Sequence, residues 1–341
     1  MGVWYKENLN KVSSVISSRI RLARNVAGIP FPQKMNDAQK TELLQKFKEI
    51  FDGARVERVG TLKYFDLESI PKEELFAMVE RHTISPDFAN ANGKRGLVIS
   101  EDESVSIMLL EEDHVRIQVL LGGENLESAY EIAKSTETLL AKEITLAFNK
   151  ELGYLTGCPT NLGTGLRASV MLHLPLLEKA GALSELGSSV SKIGLTVRGM
   201  YGEKSKAEAA LYQLSNQVTL GISEETAIEN LIAITAQIAA KEQALLKEIK
   251  KIDLEDLVFR ALGTLSYARK ISSSEMMKSI SLIRLGQFAG IVDFKEQNLP
   301  IQLLIETKPA FLQKNHGRMN SEDRDVLRAK LIREALSGQI K

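Results

Sequence analysis

Two strand-like segments separated by three acidic residues constrain the fold of this chain most strongly. Val105–Leu110 and His114–Leu120 both have the character of strands, and the second alternates in polarity. The three consecutive acids between them, Glu111, Glu112 and Asp113, have the length and polarity of a hairpin turn. Strands joined by so short a turn pair antiparallel. The segment therefore predicts an antiparallel hairpin that carries carboxylates at its tip.

Strand-like and helix-like patterns alternate along the remaining chain, which favours a mixed α and β domain. Asn36 and Ser223 are each followed by a helical pattern, so both are predicted N-caps, the second of a helix that runs to about Lys250. The other predicted strands are Val15–Arg21, Leu97–Ser100, Ile193–Val197 and Val218–Leu220, and the other predicted helices are Leu126–Phe148 and Leu166–Leu174. From Asp253 onward the pattern predicts only short helices and charged loops. A domain boundary is expected between 248 and 249, which gives domains 1–248 and 249–341.

The overall charge of the chain excludes nucleic acid as a partner. Lysine plus arginine and aspartate plus glutamate both number 44, so the chain lacks the basic field expected of a nucleic-acid-binding protein.

Cys158 is the single cysteine, which rules out an intrachain disulfide and fits a reducing compartment. The first ten residues lack the apolar stretch of a signal peptide, and no apolar run is long enough to span a membrane. A cytoplasmic location without membrane contact is expected.

Paired arginines in a predicted strand form the first candidate for chemistry. In Ser17-Ser18-Arg19-Ile20-Arg21, residues two apart share a face, so Arg19 and Arg21 project together. Two neighbouring guanidiniums repel each other unless an anion lies between them, and arginine forks suit phosphate oxygens. A solvated strand face with carboxylate partners fits this segment equally well.

The acidic turn is the second candidate. Three acids at a hairpin tip are commonly only a solvated loop. A carboxylate at a rigid strand end can also orient a cationic substrate and accept a proton, and Arg116 follows on the adjoining strand. The segment thus supplies both charge types that phosphoryl transfer to a basic nucleophile requires.

A Gly-rich loop from Cys158 to Ala168 is the third candidate. Gly163, Gly165 and Ala168 formally match G-x-G-x-x-A, but no strand-helix-strand unit surrounds them, and the P-loop sequence G-x-x-x-x-G-K-[ST] is absent. A Gly-rich loop that opens a helix can still bind phosphate through backbone N–H groups, and Arg167 would add a fork. Cys158 is either a packed thiol or, beside these arginines, a thiolate.

The fourth candidate is the turn Val197–Glu203. It holds two glycines and is flanked by Arg198 and Glu203. Such a turn is usually only a turn, but it could also close over a reacting group.

The four segments occur in the order S-S-R-x-R, E-E-D-H-x-R, C-P-[ST]-N-x-G-T-G-L-R and R-G-x-x-G-E, which resembles the phosphagen (guanidino) kinase family. The resemblance implies that Arg19, Arg21, Arg116, Arg167 and Arg198 contact the nucleotide phosphates. It further implies that Glu112 is the catalytic carboxylate that pairs with the guanidinium, that Glu203 is its second partner, and that Cys158 is the reactive cysteine near the substrate nitrogens.

Two departures narrow the resemblance to the bacterial protein arginine kinases. The all-helical N-terminal domain of phosphagen kinases is missing, because S-S-R-x-R begins at residue 17, and the histidine four residues after the G-L-R arginine is replaced by Met171. Both departures are shared by the protein arginine kinases. The expected ATP-binding residues are then Arg19, Arg21, His82, Arg116, Arg167, Ala168, Ser169, Val170, Met171, Arg198, Gly199, Met200, Tyr201, Gly202 and Glu203.

The resemblance also extends to an R-D-x-x-R-A motif near the C-terminus. In that family the motif binds phosphoarginine at a regulatory site, which implies this role for Arg324, Asp325 and Arg328. Arg324 and Arg328 are four residues apart and would share a helix face, where they could clamp a phosphate while Asp325 meets the guanidinium. A charged, solvated helix is the alternative from spacing alone.

The resemblance implies an α+β fold in which a phosphagen-kinase catalytic domain, with an antiparallel sheet flanked by helices, precedes a small, mostly helical C-terminal domain that dimerises. It implies transfer of the γ-phosphoryl group of ATP, with Mg²⁺, to arginine side chains of proteins, and no metal ligands from protein side chains are expected. Implied partners are a small zinc-binding activator, a transcription repressor and a Clp ATPase. A kinase of free arginine or another small guanidine and an inactive phosphoarginine-binding module are the alternatives.

Overall fold

The computed structural model describes residues 4–6, 12–199 and 209–340, and these form two compact units. Unit 1 contains Trp4 with residues 17–170 and 215–233. Unit 2 contains residues 171–214 and 234–340 with the described part of 5–16. None of the helices in the described part of the chain is long and apolar enough to cross a membrane.

The described residues contain eleven strands and twelve α-helices. The strands are β1 Val15–Arg24, β2 Arg55–Val56, β3 Gly60–Asp66, β4 Gly96–Ser100, β5 Val105–Leu109, β6 Val115–Gly122, β7 Phe148–Asn149, β8 Gly153–Tyr154, β9 Leu166–His173, β10 Leu195–Gly199 and β11 Leu211–Asn216. The helices are α1 Asp37–Phe51, α2 Lys72–Glu80, α3 Pro86–Asn90, α4 Leu126–Glu143, α5 Pro175–Lys179, α6 Leu183–Ser191, α7 Glu224–Leu246, α8 Lys251–Tyr267, α9 Ser273–Phe288, α10 Leu299–Glu306, α11 Pro309–His316 and α12 Ser321–Leu336. Short 3₁₀ turns occur at Pro32–Lys34, Leu67–Ser69 and Pro159–Asn161.

A largely antiparallel sheet organises unit 1. Its strand order is β9-β1-β6-β5-β4-β3-β2, and β7 and β8 form a separate two-stranded ribbon. The predicted hairpin is confirmed, because β5 and β6 pair antiparallel with Leu109 opposite Val115 and the three acids fill the turn. The antiparallel sheet with flanking helices confirms the expected fold class.

The two faces of this sheet have different environments. Ile20, Leu22 and Arg24 of β1 share one face, and Arg24 pairs there with Glu137 of α4, so α4 covers this face. Helix α4 packs on β6, and α1 packs on α4 and β3. On the opposite face, α2 and α3 cover the β3–β5 side through an apolar cluster: Leu67, Leu75, Met78, Ile84, Phe88, Ala89, Leu97, Ile99 and Met108. The same face over β9, β1 and β6 carries the arginines of the first motif.

The two predicted helix caps are confirmed. The Asn36 side chain accepts a hydrogen bond from the Gln39 N–H (2.9 Å), and the Gln39 side chain accepts one from the Asn36 N–H (3.0 Å), which completes a capping box. The Ser223 Oγ accepts a hydrogen bond from the Thr226 N–H (3.1 Å) at the start of α7.

The predicted helix Leu166–Leu174 is wrong, because this segment is strand β9. Seven of its eight residues are buried. A strand that is buried on both faces lacks the alternation of apolar and polar residues by which a half-exposed strand is recognised. Its leucines, alanine and methionine are also good helix formers, so propensity favoured the wrong element. A strand here removes the helix N-terminus that the sequence offered as a phosphate site.

Three other predicted boundaries need correction. Helix α4 ends at Glu143 rather than Phe148, because the β-branched Ile144 and Thr145 follow and the Thr145 carbonyl accepts a hydrogen bond from the Ala27 N–H (2.9 Å). Residues 218–220 are not a strand, because the Val218 carbonyl accepts a hydrogen bond from the Asn216 side chain and the Thr219 carbonyl accepts one from the Thr164 N–H. Strand β10 continues through Arg198 and Gly199, where a turn was predicted, and Met200–Glu203 lie outside the described residues.

The C-terminal part of unit 2 is helical, as expected, but its helices are longer than predicted. Helix α8 has 17 residues, and α9 and α12 each have 16. Helices α8 and α9 approach closely where Gly286 lies against Val258, since a Cβ at Gly286 would lie 2.5 Å from a Val258 methyl carbon. The domain boundary between 248 and 249 falls between α7 and α8 and stays a prediction.

Gly163 allows two backbone segments of unit 1 to touch. Its φ is +111°, and a Cβ there would overlap the Thr219 carbonyl oxygen and lie 2.8 Å from the Leu220 Cα. Gly163→Ala is therefore expected to lower the free energy of unfolding by about 1–3 kcal/mol or more, because neither backbone segment can move aside without breaking hydrogen bonds. Urea unfolding followed by circular dichroism measures this change.

Gly263→Ala is the matched control. Gly263 lies inside α8 with no atom within 4 Å of an added Cβ, so alanine should leave stability unchanged or raise it by up to ~1 kcal/mol. Equal stability changes in the two variants would contradict the close backbone approach at Gly163.

Candidate active site

Strands β1 and β6 bring three arginines onto one face of the sheet. Arg19 and Arg21 are two residues apart on β1 and point to the same side. Gln118 lies opposite Arg21 and Arg116 lies opposite Ala23, so Arg116 is the diagonal neighbour of Arg21 on this face.

Strand β9 adds a fourth arginine. The Arg19 Nε donates a hydrogen bond to the Ser169 Oγ (3.3 Å), and Ser169 is two residues after Arg167 on the same face of β9. Arg19, Arg21, Arg116 and Arg167 thus form one group across three neighbouring strands. We call these four residues the arginine cluster.

Burial of positive charge, together with mutual repulsion, is the main electrostatic property of the arginine cluster. Burial, followed by the charges of Arg116 and Arg167, lowers the pKa of Arg19 to about 10. Burial and the other three arginines lower the pKa of Arg21 well below its usual value, against an attraction by Glu111. Guanidiniums keep their protons at neutral pH, so the lowered pKa values measure how unfavourable the packed charges are without an anion. The Nε of Arg21 is buried and has no hydrogen-bond partner among the described residues. The cluster is therefore built to receive a multiply charged anion.

Glu111 supplies a negative charge inside this group, a role that the sequence did not distinguish from that of its neighbours. Its carboxylate accepts hydrogen bonds from the Arg116 guanidinium (2.5 Å) and the Ser85 hydroxyl (2.5 Å). Burial raises the pKa of Glu111, but Arg116, Ser85 and Arg21 outweigh it and leave the pKa below its usual value. Glu111 is thus an ionised partner of the cluster, already engaged by protein groups.

Glu112 differs from Glu111 in exposure and in its pKa. Its side chain is exposed, and its backbone carbonyl accepts a hydrogen bond from the Gln33 Nε2 (3.0 Å). Partial burial and then the charge of Asp113 raise the pKa of Glu112, while Arg116 and a hydrogen bond with Cys158 act in the opposite direction. This carboxylate is available to an incoming cation and is a better proton acceptor than an ordinary glutamate.

A buried hydrogen-bond network positions the acidic turn. The Asp113 Oδ1 accepts hydrogen bonds from the Asn25 side chain and the Gly157 N–H, both at 2.6 Å. The Asn25 Oδ1 accepts one from the His114 N–H (2.8 Å). His114 Nδ1 accepts from the Val26 N–H (3.0 Å), so Nε2 carries the proton and donates to the Pro30 carbonyl (2.9 Å). Burial lowers the pKa of His114, which agrees with a neutral ring. The turn is therefore tied to the end of β1 and to the Cys158 loop.

Leu110 enters the turn with an unusual backbone. Its φ is +60°, in the left-handed region that a bulky residue rarely adopts. Its N–H donates to the His114 carbonyl (2.9 Å), and its carbonyl accepts from the Arg95 Nε (3.0 Å). These bonds and the burial of the side chain hold this conformation at the start of the acidic turn.

Glycines let the Cys158 loop pack against the rest of the site. A Cβ at Gly157 would lie 2.6 Å from the Glu112 carbonyl oxygen, and a Cβ at Gly165 would lie 2.7 Å from the Ala23 carbonyl oxygen. Close packing therefore accounts for these glycines without a phosphate-binding helix, which β9 excludes. The Cys158 Sγ lies 3.1 Å from the Thr160 Oγ1, beside Glu112.

Arg24, three residues after Arg21 on β1, has a structural role that the sequence analysis did not assign. It is fully buried and forms ion pairs with Glu137 and, at 3.0 Å, with Glu224. Its guanidinium stacks on the Tyr154 ring at 3.6 Å and donates to the Thr164 carbonyl (2.9 Å). Arg24 thus links the Cys158 loop to α4 and α7. The signal was present in the sequence. Arg24 is an even number of residues from Ile20 and Leu22, so it lies on their face of β1 and not on the face of Arg19 and Arg21.

The remaining expected ATP-binding residues lie in several elements. The His82 carbonyl accepts a hydrogen bond from the Gln118 Nε2 (2.9 Å), so His82 adjoins the face that carries Arg21. Residues 168–170 belong to β9 in unit 1, where the Ala168 N–H donates to the Asn216 side chain (2.8 Å). Met171, Arg198 and Gly199 belong to unit 2, and Met200, Tyr201, Gly202 and Glu203 lie outside the described residues.

The C-terminal motif lies on α12 in unit 2. Arg328 is buried and donates to the Thr307 carbonyl (2.8 Å), the Ile271 carbonyl (2.9 Å) and the Asp325 carboxylate (2.5 Å). Arg324 is half-buried and donates to the Met319 carbonyl (3.2 Å). Arg328 thus holds Asp325 in place, and both Arg324 and Asp325 retain surface exposure.

Comparisons with known proteins agree with this geometry. The profile of "ATP:guanido phosphotransferase, C-terminal catalytic domain" matches residues 42–245, more than half of the chain, and that of "Protein-arginine kinase McsB C-terminal domain" matches residues 251–340. The chain belongs to the ATP:guanido phosphotransferase family. The first profile includes Glu112, Arg116, Cys158 and Arg167, whereas Arg19 and Arg21 precede it.

Full-length relatives within this family are protein-arginine kinases. The one from Moorella thermoacetica is 43% identical over 98% of this chain and 97% of its own length, and the one from Bacillus subtilis is 40% identical over 98% and 93%. Among solved structures, the duplicated taurocyamine kinase from Schistosoma mansoni, with bound transition state analog components, has a TM-score of 0.61 at 26% identity. It covers 77% of this chain, which spans only 38% of that one. Lombricine kinase has a TM-score of 0.59 at 25% identity and covers 72% of each chain.

The family uses Mg·ATP, and the arginine cluster fits its polyphosphate. A buried, unbonded Arg21 Nε and lowered arginine pKa values are features that an anion would relieve. Within residues 4–6, 12–199 and 209–340, no group of three or more His, Cys, Asp or Glu side chains could hold a metal ion. Mg²⁺ commonly reaches such sites bound to the phosphates of the nucleotide.

Arg21→Gln tests the repulsion in the arginine cluster. Without ATP, the variant should melt at a higher temperature than the wild type, because one of four crowded charges is gone. Mg·ATP at 100 times the Kd of the wild type should stabilise the wild type by about 2.7 kcal/mol. At the same concentration it should stabilise the variant by less than half of that. Thermal melts with and without Mg·ATP measure both effects. Arg55→Gln removes an exposed arginine on β2 as a control, and an undiminished ATP effect in Arg21→Gln would contradict the assignment.

Asp113→Asn tests the electrostatics of Glu112. Glu112 must be ionised to pair with a cation, so kcat/KM should fall as the pH falls through its raised pKa. The asparagine can still accept the Asn25 and Gly157 hydrogen bonds but lacks the charge that helps raise this pKa. The acid limb of the pH profile should therefore move to lower pH. Asp37→Asn, at the exposed start of α1, should leave the limb in place. An unmoved limb in Asp113→Asn would show that Asp113 does not act on the titrating group.

Proposed function

We propose that this protein transfers the γ-phosphoryl group of Mg·ATP to the guanidinium of arginine side chains in proteins. The observation that carries this proposal is that the arginine cluster and an exposed Glu112 of raised pKa lie on one hairpin and its neighbouring strands. The identity of about 40% to protein-arginine kinases over nearly the full length supports the choice of acceptor.

The acceptor side of the mechanism depends on Glu112. A guanidinium is a weak nucleophile because its pKa exceeds ~12. Glu112 fixes the plane of the incoming guanidinium and accepts a proton as the phosphorus–nitrogen bond forms. Cys158, hydrogen-bonded to Glu112, borders the same position. We assign Glu203, outside the described residues, as the second carboxylate on the strength of the family resemblance.

The donor side depends on the arginine cluster. Arg19, Arg21, Arg116 and Arg167 hold the phosphates and stabilise the charge of a loose, in-line transition state. Glu111 keeps Arg116 aligned before the nucleotide arrives. Mg²⁺, when bound with ATP, neutralises phosphate charge and orients the transferred group. We assign Arg198 and Gly199 to the same nucleotide contacts by resemblance, together with His82, Met171 and the segment Met200–Gly202.

Partners and regulation extend this proposal. We propose a cytoplasmic homodimer whose products are recognised by a Clp ATPase, with a transcription repressor among the substrates and a small zinc-binding activator. We also propose that Arg324, Asp325 and Arg328 bind phosphoarginine. The surface exposure of Arg324 and Asp325, with Asp325 held by Arg328, supports a ligand contact at that place.

Glu112→Gln tests the activity itself. With labelled ATP and an unfolded, arginine-containing protein, the wild type should form an acid-labile product. The variant should be slower by a factor on the order of 10²–10⁴, because the proton acceptor is lost. The stabilisation by Mg·ATP should remain, since the phosphate contacts are intact. Glu143→Gln, at the exposed end of α4, serves as the control.

Two results would contradict the proposal. Label on free arginine but never on protein would identify a small-guanidine kinase instead. Equal rates for the wild type and Glu112→Gln would remove the catalytic role of this carboxylate.

A further inference from the structure

A histidine with a strained backbone follows α2. The His82 N–H donates to the Val79 carbonyl (2.9 Å) and the Thr83 N–H donates to the Met78 carbonyl (2.9 Å), and these bonds close the end of the helix. The φ of His82 is +63°, a left-handed conformation that glycine usually supplies in such a cap. This backbone is unfavourable for a residue that has a Cβ, and strained residues of this kind cluster at ligand-binding sites.

Gln118 connects this histidine to the arginine cluster. Its Nε2 donates to the carbonyls of His82 (2.9 Å) and Thr83 (2.8 Å). Gln118 lies directly opposite Arg21 in the pairing of β6 with β1, and the side chains of directly opposite residues share a face of the sheet. The backbone of His82 is thus held one side chain away from the arginine cluster.

Trp4, the single tryptophan of the chain, contacts both the backbone beside this histidine and its ring. The Trp4 Nε1 donates to the carbonyl of Arg81, the residue before His82 (2.8 Å). The Trp4 ring meets the His82 ring edge-on, with 6.1 Å between the ring centroids and 60° between the ring planes. Both residues are buried, and both belong to unit 1.

Arg81 is anchored by its own side chain. Its buried guanidinium donates to the Glu103 carboxylate (2.9 and 3.1 Å) and to the Glu74 carboxylate (3.0 Å). Two acidic partners therefore hold the end of α2 in place without help from Trp4. What Trp4 adds is a contact with the His82 ring.

We propose that Trp4 is a positioning residue of the nucleotide site and that it acts by orienting the His82 ring. The inference rests on the proposed function, in which His82 contacts ATP. A histidine ring turns about two side-chain bonds, so a buried contact along one edge restricts the direction in which it faces. Without Trp4 the ring would lose this freedom only when ATP binds, and that loss weakens binding.

A double-mutant cycle tests this role, with the Kd of Mg·ATP measured by calorimetry in the absence of an acceptor. Trp4→Leu should raise this Kd on the order of fivefold, the usual effect of ordering one side chain on binding. Trp4→Phe keeps an aromatic edge and should stay within about twofold of the wild type. His82→Gly suits the left-handed backbone and removes the ring, so it should also raise the Kd. In the His82→Gly background, Trp4→Leu should have no further effect.

Steady-state kinetics and a control variant separate positioning from lost stability. Trp4→Leu should raise the KM for Mg·ATP by the same factor as the Kd and change kcat little, because Glu112 and the arginine cluster are untouched. Leu312→Ala removes a buried side chain of α11 in unit 2 and also lowers stability. Its Kd for Mg·ATP should equal that of the wild type.

Four results would overturn the role of Trp4. These are an unchanged Kd in Trp4→Leu, an equal increase from Trp4→Leu with and without the His82 ring, a Kd as high in Trp4→Phe as in Trp4→Leu, and a Kd raised as far by Leu312→Ala. An unchanged Kd in His82→Gly would overturn it as well, because the ring that Trp4 orients would then not meet the nucleotide. In all these cases the wild type still binds Mg·ATP, so the proposed function stands. A wild type that binds no Mg·ATP would contradict the proposed function, and the role of Trp4 with it.

Discussion

The repulsion among four guanidiniums on one sheet face is the constraint on which the rest of this site depends. Arg19, Arg21, Arg116 and Arg167 come from three neighbouring strands, so the pleat of the sheet, rather than any loop, sets their spacing. Burial and mutual charge make this arrangement costly, and Glu111 offsets only part of the cost. A stable strand framework, buttressed on one side by α4 and on the other by α2 and α3, supplies the rigidity that such crowding requires.

The acidic turn divides two tasks between adjacent residues of the same type. Glu111 is turned toward Arg116 and Ser85, whereas Glu112 is exposed. Under the proposed function, Glu111 serves the donor side and Glu112 the acceptor side. The division depends on the left-handed backbone at Leu110 and on the bonds that Asp113 and His114 make to the end of β1. Two carboxylates one residue apart thereby acquire pKa values shifted in opposite directions.

The sequence predicted the elements whose signals are local. The hairpin around residues 111–113 and the caps at Asn36 and Ser223 were predicted correctly, because turn length and capping chemistry depend on neighbouring residues. Strand β9 was mistaken for a helix because burial along almost its whole length erased the alternation by which strands are recognised. The split between Glu111 and Glu112 could not be predicted from residues alone, since only the resemblance to a family distinguished them. Arg24 received no role from the sequence, although its position an even number of residues from Ile20 and Leu22 places it on their buried face of β1.

The glycines of the Cys158 loop have a consequence for how related enzymes can diverge. Positions 153, 157, 163 and 165 tolerate no side chain, because an added Cβ at each would overlap backbone atoms of another segment. The path of the loop is therefore independent of the residues that point outward beside it. Substitutions at such outward positions can therefore accumulate without changing the path of the loop.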